Sequence, residues 1–218
     1  MPKTPFVLVT GASTGIGATY AERLARRGHG LMLVARDEPR LQALAQTLRQ
    51  AHGVEVDVLP ADLTDRQALA AVEARLRDDT RIGILVNNAG MPQAGAFLQQ
   101  RADDIERLVA LNTTALMRLA AAVAPRYAAA GEGAIVNIGS VVGLAPEFGS
   151  TVYGTTKAYV QAVLPAATRT GSWGRAGRQR NRARAHGGGR AGRRRAGGLR
   201  PPRGGDHPAA ARGRVSTR

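Results

Sequence analysis

The chain has 218 residues, no cysteine and a formal net charge of +15. The length suits one or two domains, with one favoured. The lack of cysteine excludes a disulfide framework, a cysteine-ligated zinc and a thiol nucleophile, and no metal site is expected.

No apolar run is expected to span a bilayer. The start, Met1-Pro2-Lys3-Thr4-Pro5, passes straight into a strand-like segment without the pattern of a secretory leader. A cytoplasmic protein is the expectation.

Phe6 to Thr10 reads as a buried strand running into a glycine turn. Gly15 to Arg27 has helical spacing, with Ile16, Tyr20 and Leu24 on one face. A strand follows at 30–35, and Leu41, Leu44, Ala45 and Leu48 mark a second helix. Residues 54–59 alternate as a third strand, and 65–77 form a helix with Thr64 as the expected cap. A fourth strand is expected at 82–87, a long helix at 103–130 interrupted near Pro125, and a fifth strand at 133–138. Wholly apolar strands alternating with helices predict an α/β fold. The expected form is a parallel sheet with helices on both faces.

The charge is unevenly distributed. Residues 1–170 carry 17 Lys and Arg against 15 Asp and Glu, whereas residues 171–218 carry 14 Arg against the single acid Asp206. Those last 48 residues hold 12 Gly, and Leu199 and Val215 are their only Val, Ile, Leu, Met or Phe. So little apolar surface cannot offset the entropy of ordering, so 171–218 is expected to be a disordered Arg/Gly-rich tail on a domain at 1–170. Fourteen arginines would also suit sequence-independent binding to nucleic acid. Trp173 is the only aromatic there, however, and Arg-Gly-Gly occurs once, at Arg203-Gly204-Gly205. No specific nucleic-acid partner is expected.

Chemistry concentrates at the strand ends. Thr10-Gly11-Ala12-Ser13-Thr14-Gly15-Ile16-Gly17 joins the first strand to the first helix. Such a turn lets a pyrophosphate approach the backbone and a helix N-terminus, although close packing in an ordinary turn would use the same glycines. The second strand ends in Val34-Ala35-Arg36-Asp37. Arg36 would pair with a 2′-phosphate and favour NADP(H); the alternative gives Asp37 to the ribose of NAD(H). Asn87-Asn88-Ala89-Gly90 follows the fourth strand and is either a cofactor-lining turn or an ordinary Asn/Gly turn. Ser140 lies past the fifth strand. Tyr153 and Lys157 share a helix face, four residues apart. A free tyrosine titrates near ~10, so acid–base work near neutrality requires lowering that by about 3 units, or roughly 4 kcal/mol. A lysine ammonium supplies such a field, though Tyr-x-x-x-Lys alone more often marks a surface pair.

Together these residues resemble the short-chain dehydrogenase/reductase family. The resemblance covers about residues 4–170. It rests on Thr10-Gly11-x-x-x-Gly15-x-Gly17, Asp62-Leu63, Asn88-Ala89-Gly90, Asn112, Ser140 and Tyr153-x-x-x-Lys157. It implies an α/β, Rossmann-like, doubly wound parallel sheet with helices on both faces, and hydride transfer between NAD(P)(H) and a small-molecule carbonyl or secondary alcohol. Tyr153 would be the general acid–base and Lys157 would bind the nicotinamide ribose. Ser140 would orient the substrate oxygen, and Asn112 would hold a relay water. Gly11, Ser13, Thr14, Gly15, Ile16 and Gly17 would cradle the cofactor phosphates. Asp62 would contact the adenine and Asn88 would lie beside its ribose, and Leu63, Ala89 and Gly90 would also bind the cofactor. Arg36 matches the NADP-preferring position. Met91, Pro92, Gln93, Ala145, Pro146, Glu147 and Phe148 would border the substrate pocket.

The pattern fails after Lys157. Roughly 25 residues of helix and loop are missing relative to the family. Residues 159–164 either extend the Tyr153 helix, with Pro165 stopping it, or form the sixth strand. The last strands are expected to be missing. That puts in doubt both activity and the dimer the family forms through the helix bearing Tyr153. Back-translation one nucleotide out of phase offers an origin for the tail. In that frame Arg193 to Gly198 allows Val-Asp-Ala-Leu-Ala-Gly, and Gly205-Asp206-His207-Pro208 forces two consecutive Thr or Ile. An inactive, frameshifted relic and a reductase with a nucleic-acid-binding tail are therefore the alternatives to an active enzyme.

Overall fold

Five short segments form one parallel sheet: β1 (Phe6–Thr10), β2 (Leu31–Ala35), β3 (Val56–Pro60), β4 (Ile82–Asn87) and β5 (Ala134–Asn137), in the order β3-β2-β1-β4-β5. The computed structural model describes residues 4–92, 97–144 and 151–169, with the backbone alone at 164–169. Gln93, Ala145, Pro146, Glu147, Phe148 and the segment 171–218 lie outside the described residues.

Six α-helices are described: α1 (Gly15–Ala25), α2 (Glu38–His52), α3 (Arg66–Asp78), α4 (Ala102–Val109), α5 (Leu116–Ala130) and α6 (Thr151–Arg169). The side chains of β1 alternate between two cores. Val7 and Val9 pack with Ala21, Ala25, Leu41 and Leu48 of α1 and α2. Phe6 and Leu8 pack with Leu69, Val72, Leu119 and Val123 of α3 and α5. The sheet is therefore doubly wound, as expected. The direction of winding reverses between β1 and β4, and the carboxyl ends of those strands open a crevice there.

Three local expectations fail for identifiable reasons. Thr64 does not cap α3; Asp65 does, its Oδ1 accepting from Ala68 N at 2.7 Å, while the Thr64 hydroxyl donates to Asp62. The long helix is not interrupted at Pro125, which sits inside α5. Its irregularity is a π-helical stretch, Ala110–Ala115, which joins α4 to α5. Residues 159–164 belong to α6 rather than to a sixth strand, and Pro165 does not stop it. A proline removes one backbone donor but keeps a helical φ, so a helix can run through it at a cost.

The helical run Ala102–Ala130 is long and apolar enough, by length and composition, to cross a membrane, contrary to expectation. In this fold Leu108, Leu116, Leu119 and Val123 are buried. Arg118 of the same run forms a paired hydrogen bond with Glu73 of α3.

Candidate active site

The glycine turn is held by contacts from β4. Thr10 Oγ1 accepts from Asn88 N and Ala89 N, both at 3.0 Å. Asn88 Nδ2 donates back to Thr10 O at 2.9 Å and Gly11 O at 3.1 Å. Gly11 has φ +64, and a Cβ there would lie 2.9 Å from Ala89 Cα. A Cβ on Gly17 would strike Gly11 O and Asn88 Nδ2. These two positions accept glycine alone, so the first turn of α1 can close against the strand ends.

A cleft of about 960 Å³ opens over this turn. Gly11, Ser13, Thr14, Gly15, Ile16, Arg36, Asp62, Leu63, Asn88, Ala89, Gly90, Ser140, Tyr153 and Lys157 line it, with Met91 and Pro92 at one end. Gly17 and Asn112 are not on its wall. Gly17 supports the turn from beneath. Asn112 is 1% exposed; its Oδ1 accepts from Met91 N, and its Nδ2 donates to Met91 O and Thr156 Oγ1.

Lys157 is 7% exposed, and its Nζ donates to Ile138 O at 3.0 Å. Burial pushes its ammonium below the usual lysine range. The Nζ lies 5.8 Å from the centroid of the Tyr153 ring. Ser140 precedes a short turn at Val141–Gly143, and its carbonyl accepts from Gln161 Nε2 of α6 at 2.8 Å. A Cβ on Gly143 would lie 2.6 Å from the Lys157 carbonyl carbon. Two contacts therefore fasten the Ser140 turn to the helix bearing Tyr153 and Lys157.

At the opposite end, Asp62 Oδ1 accepts from Thr64 N at 2.9 Å and Thr64 Oγ1 at 2.7 Å. Its Oδ2 lies 3.3 Å from Arg107 Nη2 and 3.9 Å from Arg36 Nη1. Burial raises the Asp62 carboxyl. The Thr64 hydrogen bonds and the two guanidinium groups outweigh it and hold the group below the ordinary carboxylate range.

The short chain dehydrogenase family profile matches residues 5–170. The chain belongs to the short-chain dehydrogenase family. This short-chain dehydrogenase is 67% identical to a short-chain dehydrogenase from Sphingobium yanoikuyae solved in complex with NADPH, with TM-score 0.74 over 74% of this chain and 63% of that one. It is 62% identical to the bulky-bulky ketone specific alcohol dehydrogenase of Comamonas testosteroni, with TM-score 0.74 over 75% and 66% of the two chains. Among curated relatives, it shares 35% identity with very-long-chain 3-oxoacyl-CoA reductase-A of Danio rerio, over 71% of this chain and 50% of that protein. The figures for a sulfoacetaldehyde reductase of Chromohalobacter salexigens are 38%, 72% and 63%. The chain thus spans half to two thirds of the length of these relatives.

Two residues at or beside this short-chain dehydrogenase's cleft were not singled out from sequence: Arg107 and Gln161. Each acts through a tertiary partner. Thr64, expected as the α3 cap, bonds Asp62 two residues away, a contact with a local signal, since Asp-x-Thr is a side-chain-capped turn.

Proposed function

We propose that this chain is an NADP(H)-dependent oxidoreductase acting on ketones and secondary alcohols. The observation that carries this reading is one cleft lined by the glycine turn and Arg36 at one end and by Ser140, Tyr153 and Lys157 at the other. The cleft fits a dinucleotide. Gly11 and Gly17 leave the space that side chains would fill, and Arg36 offers a cation beyond β2. The bound nicotinamide would supply or accept the hydride.

The remaining chemistry falls to this chain. Ser140 would donate a hydrogen bond to the substrate oxygen. Tyr153 would give its phenolic proton to that oxygen during reduction and take it back during alcohol oxidation. The Lys157 ammonium would stabilise the resulting phenolate. Asn112 spends its amide on Met91 and Thr156, so a water relay there would pass its backbone rather than its side chain. Met91 and Pro92 border the cleft, and Val141 and Leu144 are exposed just past Ser140. That apolar surround, and the similarity to the bulky-ketone enzyme, support a bulky hydrophobic ketone as substrate. The reading keeps Ala102–Ala130 on the sheet and the protein in the cytoplasm, without a specific nucleic-acid partner.

The test is NADPH consumption by the purified full chain with a panel of aryl and alkyl ketones. Turnover is expected with bulky ketones, and Tyr153→Phe should lower it by about 10²–10⁴-fold. Equal rates in the two proteins would contradict the assignment.

A second reading has its own observation. The family match ends at residue 170, just where composition changes to Arg and Gly. Residues 171–218 would then be an out-of-phase reading of a family C-terminus, and the chain an inactive relic. The gene around codons 158–172 distinguishes the two. An unbroken family-like second frame supports the relic, and stop codons in that frame defeat it.

A further inference from the structure

We infer that Arg107 of α4 is a positioning residue for cofactor preference: it neutralises Asp62 and so leaves Arg36 to a 2′-phosphate. The inference rests on the proposed use of NADP(H). It starts from a count of charge at the Arg36 end of the cleft. The charged side chains lining that end are Arg36, Asp37, Arg40 and Asp62. Two cations against two carboxylates leave nothing to favour a dianion. Arg40 is already committed, its Nε 3.2 Å from Asp37 Oδ2.

Asp62 therefore decides the balance. Its Oδ1 is taken by the backbone and hydroxyl of Thr64. Its Oδ2 is hydrogen-bonded by Arg107 at 3.3 Å, whereas Arg36 stands off at 3.9 Å, with its side chain 63% exposed. Arg107 is not on the cleft wall. It reaches Asp62 from α4, 45 residues away in the chain. With Arg107 in place, the Asp62 charge has a partner other than Arg36. Without it, Oδ2 would draw Arg36 inward, and an uncompensated carboxylate would face the incoming phosphate. Both effects act on a 2′-phosphate and leave a 2′-hydroxyl nearly unaffected, because the penalty scales with the charge of the group brought in. Asp62 keeps its charge across the working range, since its carboxyl is held below the ordinary value.

The test is calorimetric titration of the full chain with NADPH and with NADH, for wild type, Arg107→Gln and Arg107→Lys, at low and high salt. Arg107→Gln should weaken NADPH by roughly three- to tenfold, as expected for one partly screened unit charge, and NADH by less than about twofold. Arg107→Lys, which retains the cation, should keep most of the preference. High salt should shrink the difference. Equal weakening of both cofactors would assign Arg107 a merely structural role and overturn the inference. An unchanged ratio in a wild-type protein that prefers NADPH also overturns it while sparing the NADP(H) reading. A wild type that binds neither cofactor, or binds NADH as tightly, removes the NADP(H) reading and the inference together.

Discussion

Lys157 shows, at the scale of a single residue, stability set against use. Its ammonium is buried, donates to the carbonyl of Ile138, and is pushed down in pKa by burial. Such a group costs folding free energy, because desolvation is only partly repaid by the bonds it makes. Lys157→Met keeps much of the volume and removes the charge. Thermal unfolding should show equal or higher stability, while turnover falls by at least about tenfold. A large loss of stability would mean that Lys157 is chiefly structural. The catalytic candidates were legible in the sequence because their signal is local: Tyr153 and Lys157 one helical turn apart, and glycines at fixed spacing before a helix. Arg107 and the hydrogen bonds that Thr10 receives from β4 were not, because the partners lie 45 and 78 residues away. Asn112 was legible as a position, but its side chain proves to be buried behind the wall.

At the scale of elements, apolar patterning located the five strands and the helices up to α5 to within a few residues, since burial on both sheet faces leaves continuous apolar strands, whereas 159–164 of α6 had been open between helix and strand. The misjudged points were prolines and caps. Pro125 and Pro165 lie within helices because the rest of each helix tolerates one missing donor. The cap of α3 moved to Asp65 because Thr64 serves Asp62 instead. Between α3 and β4, Arg81 ties Asp79, Glu55 and Asp57 together, with Arg75 also on Asp57 and Asp79. Hydrogen bonding from Arg81, partly opposed by burial, holds the Asp79 carboxyl below its ordinary value of 3.8. A carboxyl depressed in the folded state contributes stability above its unfolded pKa. That contribution is lost as pH falls from near the unfolded value through the folded one. Asp79→Asn should therefore cost on the order of 1 kcal/mol near neutrality and almost nothing once the pH is below the depressed value. Urea denaturation at the two pH values measures this. A cost independent of pH would contradict it.

For the whole molecule, the charge of +15 first suggests a phosphate-bearing partner, but residues 1–170 hold almost none of the excess. Within those residues lie the sheet, both cores and the full cleft. The family was legible because its motifs, at strand ends and on the helices of Asn112 and Tyr153, keep their order and spacing along the chain. The substrate was not, because the residues that would border its pocket lack a chemical signature of their own. Among the described residues β5 pairs only with β4, and its four residues are half-buried where those of β1 are buried. Whether this fold still works as a dinucleotide site in the full chain is the central claim. Calorimetric titration of the full chain and its Gly17→Ala variant with NADPH tests it most directly. The account predicts one site in the wild type and its loss in the variant, whose added methyl would strike Gly11 and Asn88. No heat of binding in the wild type, or the same binding in both proteins, would contradict it.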